Sequence, residues 1–123
     1  MIEVGEYVRT KKGVVGKFKK YLKSIYFEGQ DIELENCIIY LEDEDEVVKH
    51  SKNIIDLIEV GDYIQLEDRG ERFYEVTTDY QGKLAIIDIG WNEYEEIDET
   101  YNQDIKSIVT SEQFKSIEYR LED

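Results

Sequence analysis

Residues 58–64 read Ile-Glu-Val-Gly-Asp-Tyr-Ile, and residues 2–8 read Ile-Glu-Val-Gly-Glu-Tyr-Val. The second copy begins 56 residues after the first, close to the middle of a chain of 123 residues. Because each half is as long as a very small domain, the repeat predicts two domains of similar structure. We place the first domain at residues 1–56 and the second at residues 57–123.

Each copy opens a series of short predicted β-strands. Residues 4–10 alternate apolar and polar side chains, which is the period of a half-buried strand. Residues 11–13, Lys-Lys-Gly, predict a tight turn, and residues 14–18 predict the returning strand. The second half repeats this plan between residues 62 and 77, so both halves are predicted to be mostly β.

The end of each half predicts a short helix. Ser51 is placed to cap a single helical turn at residues 53–57. Residues 110–113, Thr-Ser-Glu-Gln, match a capping box, and they predict a helix from Ser111 to about Ser116. Between the strands, the compact apolar run at residues 37–41 predicts a further strand that is buried on both faces.

A resemblance to a known fold follows from the first hairpin. Residues 5–18, Gly-Glu-Tyr-Val-Arg-Thr-Lys-Lys-Gly-Val-Val-Gly-Lys-Phe, resemble the opening of SH3-like and KOW-type small barrels. Those families often begin with Gly-Asp-x-Val, a turn glycine and Gly-x-Val or Gly-x-Phe. The resemblance implies an all-β chain of two tandem SH3-like barrels, each ending in a short helix. We expect Gly16 at a barrel corner, where the strand bends sharply and needs no side chain, and Tyr7 and Tyr63 facing the two cores.

A second resemblance concerns origin. Residues 48–63 and residues 105–114 are similar to small uncharacterised proteins of phages and prophages in low-GC Gram-positive bacteria. The similarity covers the opening, the junction and the end of the chain. It implies a phage-type protein in the reducing cytoplasm of a bacterial host. It implies no activity and assigns no functional residue.

The charge of the chain restricts its partners. The net charge is −15 and the isoelectric point is near 4.4. Residues 1–57 hold 9 Lys or Arg against 12 Asp or Glu, whereas residues 58–123 hold 6 against 18. Such a field repels nucleic acid and anionic membranes and attracts basic surfaces. We therefore expect a host protein with a basic surface as the partner, engaged by the second half.

The segment at residues 91–101 is the best candidate for this contact, because it combines aromatic and acidic residues. Aromatic rings serve as rigid anchors, and the carboxylates would pair with Lys or Arg of the partner. Spaced carboxylates also imitate phosphates, so an inhibitor of host defence, such as an anti-CRISPR protein or a nuclease inhibitor, fits this pattern. The alternative to a binding role is that residues 91–101 form a solvated loop whose tryptophan fills the core. The predicted partner-binding residues are Trp91, Glu93, Tyr94, Glu95, Glu96, Asp98 and Glu99.

A basic stretch at residues 9–23 supports an alternative function. It contains no acidic residue, and Tyr7, Phe18 and Tyr21 lie among its cations, as in a nucleic-acid footprint. Strand alternation would instead place these rings in a core. The alternatives are thus a nucleic-acid-binding module or a phage structural or assembly protein that forms homo-oligomers. The candidate nucleic-acid-binding residues are Arg9, Lys11, Lys12, Lys17, Lys19 and Lys20.

The inventory of reactive side chains argues against an enzyme. The chain has one histidine, His50, and one cysteine, Cys37, which lies in an apolar run and is expected to be a small core residue. A single cysteine also excludes an intrachain disulfide. The acidic run at residues 42–46 lacks the glycine of an EF-hand loop. We predict no catalytic residue, no metal site, no cofactor and no membrane span.

Overall fold

The computed structural model describes residues 2–25, 28–88 and 93–116 of the chain. The chain divides into two compact units, Met1–Leu57 and Ile58–Asp123. Each unit contains one five-stranded antiparallel sheet. The prediction of an all-β fold is confirmed at this level, and the assignment of each sheet to an SH3-like barrel stays a prediction.

The first unit contains strands β1 (Tyr7–Thr10), β2 (Val15–Lys23), β3 (Gln30–Leu34), β4 (Ile38–Ile39) and β5 (Val47–Ser51). Their hydrogen-bonded order is β4-β3-β2-β1-β5. Strand β2 is shared, since residues 15–17 pair with β1 and residues 18–23 pair with β3. The 3-10 helices Leu41–Asp43 and Ile54–Leu57 lie before and after β5. The second follows Ser51, whose Oγ accepts a hydrogen bond from the N–H of Asn53 (3.1 Å).

The second unit contains strands β6 (Tyr63–Leu66), β7 (Phe73–Thr78), β8 (Leu84–Asp88), β9 (Tyr94–Glu96) and β10 (Ile105–Val109). Their order is β10-β6-β7-β8-β9, so the first strand of each unit lies between its second and its fifth. The 3-10 helices of this unit are Glu67–Arg69 and Glu99–Tyr101, and helix α1 spans Ser111–Ser116. The repeat in sequence therefore corresponds to a repeat in strand order.

The repeated heptapeptide forms a turn that leads into the first strand of each unit. Glu6 and Asp62 are equivalent, and a carboxylate oxygen of each accepts the N–H three residues earlier, that of Glu3 or Glu59 (2.7 Å in both). Asp62 is fully buried, and its second oxygen accepts the N–H of Ser111 (2.9 Å). The acidic fifth position of the repeat thus satisfies turn N–H groups that would otherwise lack an acceptor.

The residues that face the cores differ from the expectation. Val8 and Ile64 are fully buried, whereas Tyr7 and Tyr63 are half-buried. Neighbouring residues of a strand point to opposite faces, so the valine and isoleucine face the cores in place of the tyrosines. In the first unit Val8 joins a buried cluster with Phe18, Leu34 and Ile39. The ring of Tyr63 instead stacks on Phe114, with centroids 5.2 Å apart.

Gly16 lies where the backbone comes close to other side chains. It pairs with Val8 just before β2 changes partner from β1 to β3. A Cβ atom at Gly16 would lie 2.1 Å from Oδ1 of Asn36 and 2.9 Å from Cδ1 of Leu34. A side chain at this position would therefore overlap its neighbours, a close approach that the sequence pattern did not predict.

Helix α1 begins with the predicted capping box. Oγ1 of Thr110 accepts the N–H of Gln113 (3.3 Å), and Oε1 of Gln113 accepts the N–H of Thr110 (3.2 Å). The reciprocal pair satisfies two backbone donors at the helix start.

Two parts of the prediction differ from the structure. Of the predicted strand at residues 37–41 only Ile38–Ile39 pairs as a strand, and Tyr40 and Leu41 are exposed, because Leu41 begins a 3-10 helix. Strand β9 was not predicted, since the acidic segment lacks the apolar alternation of a strand. Within the described ranges, none of the helices is both long and apolar enough to cross a membrane.

Candidate functional site

A pocket of about 410 Å³ opens in the second unit. The connection from β6 to β7 and the beginning of β9 form its sides, and β7 and β8 form its floor. Three of its lining side chains are carboxylates, two are guanidinium groups and three are apolar or aromatic. They are Asp88, Glu93 and Glu95, Arg69 and Arg72, and Tyr74, Ile86 and Tyr94.

Strand register places the floor residues on one face of the sheet. Tyr74 pairs with Asp88 across β7 and β8, and Ile86 pairs with Glu95 across β8 and β9. Ile86 and Asp88 are two positions apart on β8, so all four side chains share a face. Tyr74 and Ile86 are buried, while Asp88 and Glu95 are half-buried. The two carboxylates therefore lie at the margin of the core and need cationic partners.

Arg69 supplies one of these partners. Its Nη1 and Nη2 donate to Oε1 and Oε2 of Glu95 at 2.8 and 2.9 Å, a bidentate pair that spans β7 and β8. The guanidinium carbon lies 5.4 Å from the centroid of the Tyr74 ring. Tyr101 donates its hydroxyl to Oε2 of the same carboxylate. Paired hydrogen bonds of this kind are stronger than a single contact between point charges and fix the orientation of both groups.

The pKa values of the cluster follow from these contacts. Hydrogen bonds from Arg69 hold the pKa of Glu95 below its usual value, against a smaller opposing effect of burial. The hydrogen bond to Glu95 raises the pKa of Tyr101 to about 12, with a further contribution from burial. Glu95 is accordingly a carboxylate and Tyr101 a neutral phenol at neutral pH.

Arg72 pairs with the second carboxylate of the pocket floor. Its Nη1 lies 3.0 Å from Oδ2 of Asp88. The side chain of Arg72 is 59% exposed, whereas that of Asp88 is 16% exposed. The carboxylate is thus fixed on the strand, and the arginine reaches it from the solvent side.

In the predicted partner-binding segment, some carboxylates contact other residues of the chain and others are exposed. Glu95 lies in the Arg69 cluster, Glu96 pairs with Lys83 (3.4 Å), and Asp98 accepts the N–H and the hydroxyl of Thr100. Glu93 and Glu99 are exposed, and neither forms an ion pair with another described residue. Tyr94 is 54% exposed beside them. Trp91 lies outside the described residues.

The candidate nucleic-acid-binding residues do not form one free basic surface. Arg9 is fully buried and donates from Nη1 to the carbonyl oxygen of Leu57 (2.9 Å), so it presents no charge to a ligand. Lys12 donates from Nζ to the carbonyl of Asp43, and Lys19 pairs with Glu33 (3.3 Å). The remaining candidates are Lys11 and Lys20, which are exposed, and Lys17, whose Nζ lies 5.9 Å from the centroid of the Tyr7 ring.

Phe18 belongs to the core of the first unit, and Tyr21 packs against it. Phe18 is buried, and its ring packs edge-on against Tyr21 with centroids 4.9 Å apart. A bulge between Phe18 and Lys20 interrupts the strand alternation, which leaves both Lys19 and Lys20 exposed. The ring of Phe18 is therefore unavailable for stacking on a base, whereas the rings of Tyr7 and Tyr21 are half-buried.

The two reactive side chains of the first unit have structural surroundings. Nδ1 of His50 lies 3.2 Å from both carboxylate oxygens of Glu6. Cys37 is half-buried, and burial raises the pKa of its thiol, which disfavours the nucleophilic thiolate. Across residues 2–25, 28–88 and 93–116, no group of three His, Cys, Asp or Glu side chains is placed to hold a metal ion.

Sequence reasoning missed the pocket residues Arg69, Arg72, Tyr74 and Asp88. One signal for part of the site was present in the chain. The turn around Gly82 joins β7 and β8, and counting outward from Thr78 paired with Leu84 brings Tyr74 opposite Asp88. No such count finds Arg69 beside Glu95, because this contact crosses two strands.

Comparison of the chain with protein-family models, with curated proteins and with solved structures returned no match.

Proposed function

We propose that this chain is a non-enzymatic, phage-type protein that acts in the cytoplasm of a bacterial host. In this proposal its second unit binds a basic surface of a host protein. We also propose that each unit is an SH3-like barrel. Two features support this fold: the shared strand order of the two units, and the division of β2 between β1 and β3.

The observation that carries the functional proposal is a charged surface built on a fixed support. Glu93, Tyr94 and Glu96 are exposed at and next to the edge strand β9. The same strand is held from behind by the bidentate pair between Arg69 and Glu95. A surface ordered before binding loses less conformational entropy on association.

The chemistry of this surface favours a cationic partner. Residues 58–123 carry 12 more acidic than basic residues, and Tyr94 offers an exposed aromatic anchor. A partner that normally binds phosphates through a basic cleft would accept carboxylates in their place. A nuclease or another component of host defence has such a cleft, so inhibition by imitation of nucleic acid is the specific form that we propose.

Affinity capture from a bacterial lysate with charge-reversed variants tests the proposal. The test variant carries Glu93→Lys, Glu96→Lys and Glu99→Lys, and it keeps Glu95 because that residue supports the strand. The matched control reverses three exposed carboxylates of the first unit, Glu42, Glu44 and Glu46. Both variants change the net charge equally. A difference between them therefore reports the effect of the surface near β9, separate from the effect of overall charge.

We expect a host protein that the unaltered chain and the control capture, and that the test variant loses. Equal loss from both variants would mean that only net charge matters. Unchanged capture by the test variant would exclude this surface. A salt-dependent shift of labelled RNA or DNA by the unaltered chain would instead favour nucleic-acid binding.

A further inference from the structure

Arg69 shows how this pocket binds a guanidinium group. The group lies against the ring of Tyr74 and makes two hydrogen bonds with Glu95. An aromatic face combined with a carboxylate satisfies both the flat surface and the planar donors of arginine. This half of the pocket is filled by the chain itself.

The other half has a second carboxylate and a weaker occupant. Asp88 supplies the carboxylate and Arg72 supplies the cation, whereas Tyr94, next to Glu95 on β9, points to the opposite face of the sheet. The contact between Arg72 and Asp88 is a single hydrogen bond of 3.0 Å. A solvent-exposed arginine gains little from one ion pair, whereas a mostly buried carboxylate needs a cation. A cation from outside can therefore replace Arg72 at little cost.

The charge of the pocket favours a cationic ligand over an anionic one. Its two arginines balance Glu95 and Asp88, which leaves the exposed Glu93 unbalanced among the lining residues. An anion would meet three carboxylates there, within a strongly acidic unit. The volume of about 410 Å³ lies in the range of ~300–1,000 Å³ of small-ligand pockets, so a long side chain fits.

We propose that this pocket receives one arginine side chain of the basic partner, which takes the place of Arg72 on Asp88. The incoming guanidinium lies between Asp88 and Glu93, and Arg72 moves into solvent. Arginine is preferred to lysine because its planar group presents several parallel N–H donors to the carboxylates. The inference rests on the proposed function and names the group that the second unit recognises.

Peptide binding to the full chain tests this exchange. The probes are an arginine-rich peptide and the same peptide with lysine in place of every arginine. Arg72→Ala removes the competing cation, and its control Lys106→Ala removes the same charge from the same unit, outside the pocket. Asp88→Asn removes the receiving carboxylate, and its control is Asp104→Asn, an exposed acid that does not line the pocket.

The expected changes in affinity differ within each pair of variants. Arg72→Ala tightens binding of the arginine peptide by about two- to fivefold more than Lys106→Ala does. This factor in affinity corresponds to the free energy of one exposed ion pair. Asp88→Asn weakens it by about tenfold or more, beyond the effect of Asp104→Asn. Amide chemical shifts of residues 72, 88 and 94 move on titration with the arginine peptide and less with the lysine peptide. Amide spectra without peptide verify that every variant is folded.

Three results would overturn the inference. Equal effects within each pair of variants would show that the peptide responds only to the field of the unit. Equal affinity for the two peptides would exclude the preference for arginine, and shifts outside the pocket would exclude its location. In each case capture that depends on Glu93, Glu96 and Glu99 would still support the proposed function, so the two failures can be distinguished.

Discussion

Arg69 holds Glu95 through two hydrogen bonds, Nη1 to Oε1 at 2.8 Å and Nη2 to Oε2 at 2.9 Å, across two intervening strands. The residues are 26 positions apart in the chain. Their pair fixes the edge strand β9 to the connection between β6 and β7. The acidic segment at residues 93–99 is therefore supported by one of the few cations of its own unit.

The stability of the second unit depends on this pair. Glu95→Gln lowers the free energy of unfolding by about 1 kcal/mol, because both partners are about a third exposed and solvent screens their attraction. Urea unfolding followed by circular dichroism measures the change. Glu96→Gln removes the same charge from the next residue, whose pair with Lys83 is more exposed, and it costs less than about 0.5 kcal/mol. Equal costs for the two variants would contradict the structural role of Glu95.

The contribution of Glu95 depends on pH in a definite direction. Its pKa in the folded protein is lowered from the usual 4.5, chiefly by the hydrogen bonds from Arg69. The stabilisation is therefore complete above pH 4.5 and disappears as the pH falls through the lowered value. We expect the difference in unfolding free energy between the unaltered chain and Glu95→Gln to shrink over that acidic range. A constant difference would show that the carboxylate keeps its ordinary pKa.

Tyr101 provides a test at alkaline pH. Its pKa is raised from 10.0 to about 12, mainly by the hydrogen bond to Glu95, so the neutral phenol is favoured in the folded state. This stabilisation is complete below pH 10 and is lost as the pH rises through about 12. In an ultraviolet titration, Tyr101→Phe removes a tyrosinate transition near pH 12. In Glu95→Gln the same transition moves toward 10, and its failure to move would assign the raised pKa to another cause.

Gly16 tests the close approach in the first unit. Gly16→Ala destabilises the chain by about 1–3 kcal/mol, because the new methyl group overlaps Asn36 and Leu34. Thermal or urea unfolding measures this cost. Adding Asn36→Ala to this variant removes the nearer obstacle and restores part of the lost stability. The overlap with Leu34 remains, so the rest of the loss persists. Strictly additive costs of the two substitutions would contradict the contact.

The sequence by itself determined the local structure and the balance of charge. The repeated heptapeptide, the turn at Lys11-Lys12-Gly13 and the capping box at Thr110 all depend on residues within a few positions of one another. Such interactions are the same wherever the segment lies in the fold, so their patterns can be read from the chain. The excess of acidic residues after residue 57 is likewise a property of composition.

Only the tertiary structure decided which charges remain available to a partner. Arg9 donates to the carbonyl of Leu57, 48 positions away, and Glu95 accepts from Arg69. Neither side chain is therefore available to a ligand, although Arg9 was predicted to bind nucleic acid and Glu95 a partner protein. These contacts depend on strand order and register, because a shift of register moves whole rows of side chains from one face to the other. Burial then requires a partner for each polar group, and the fold supplies one from a distant part of the chain.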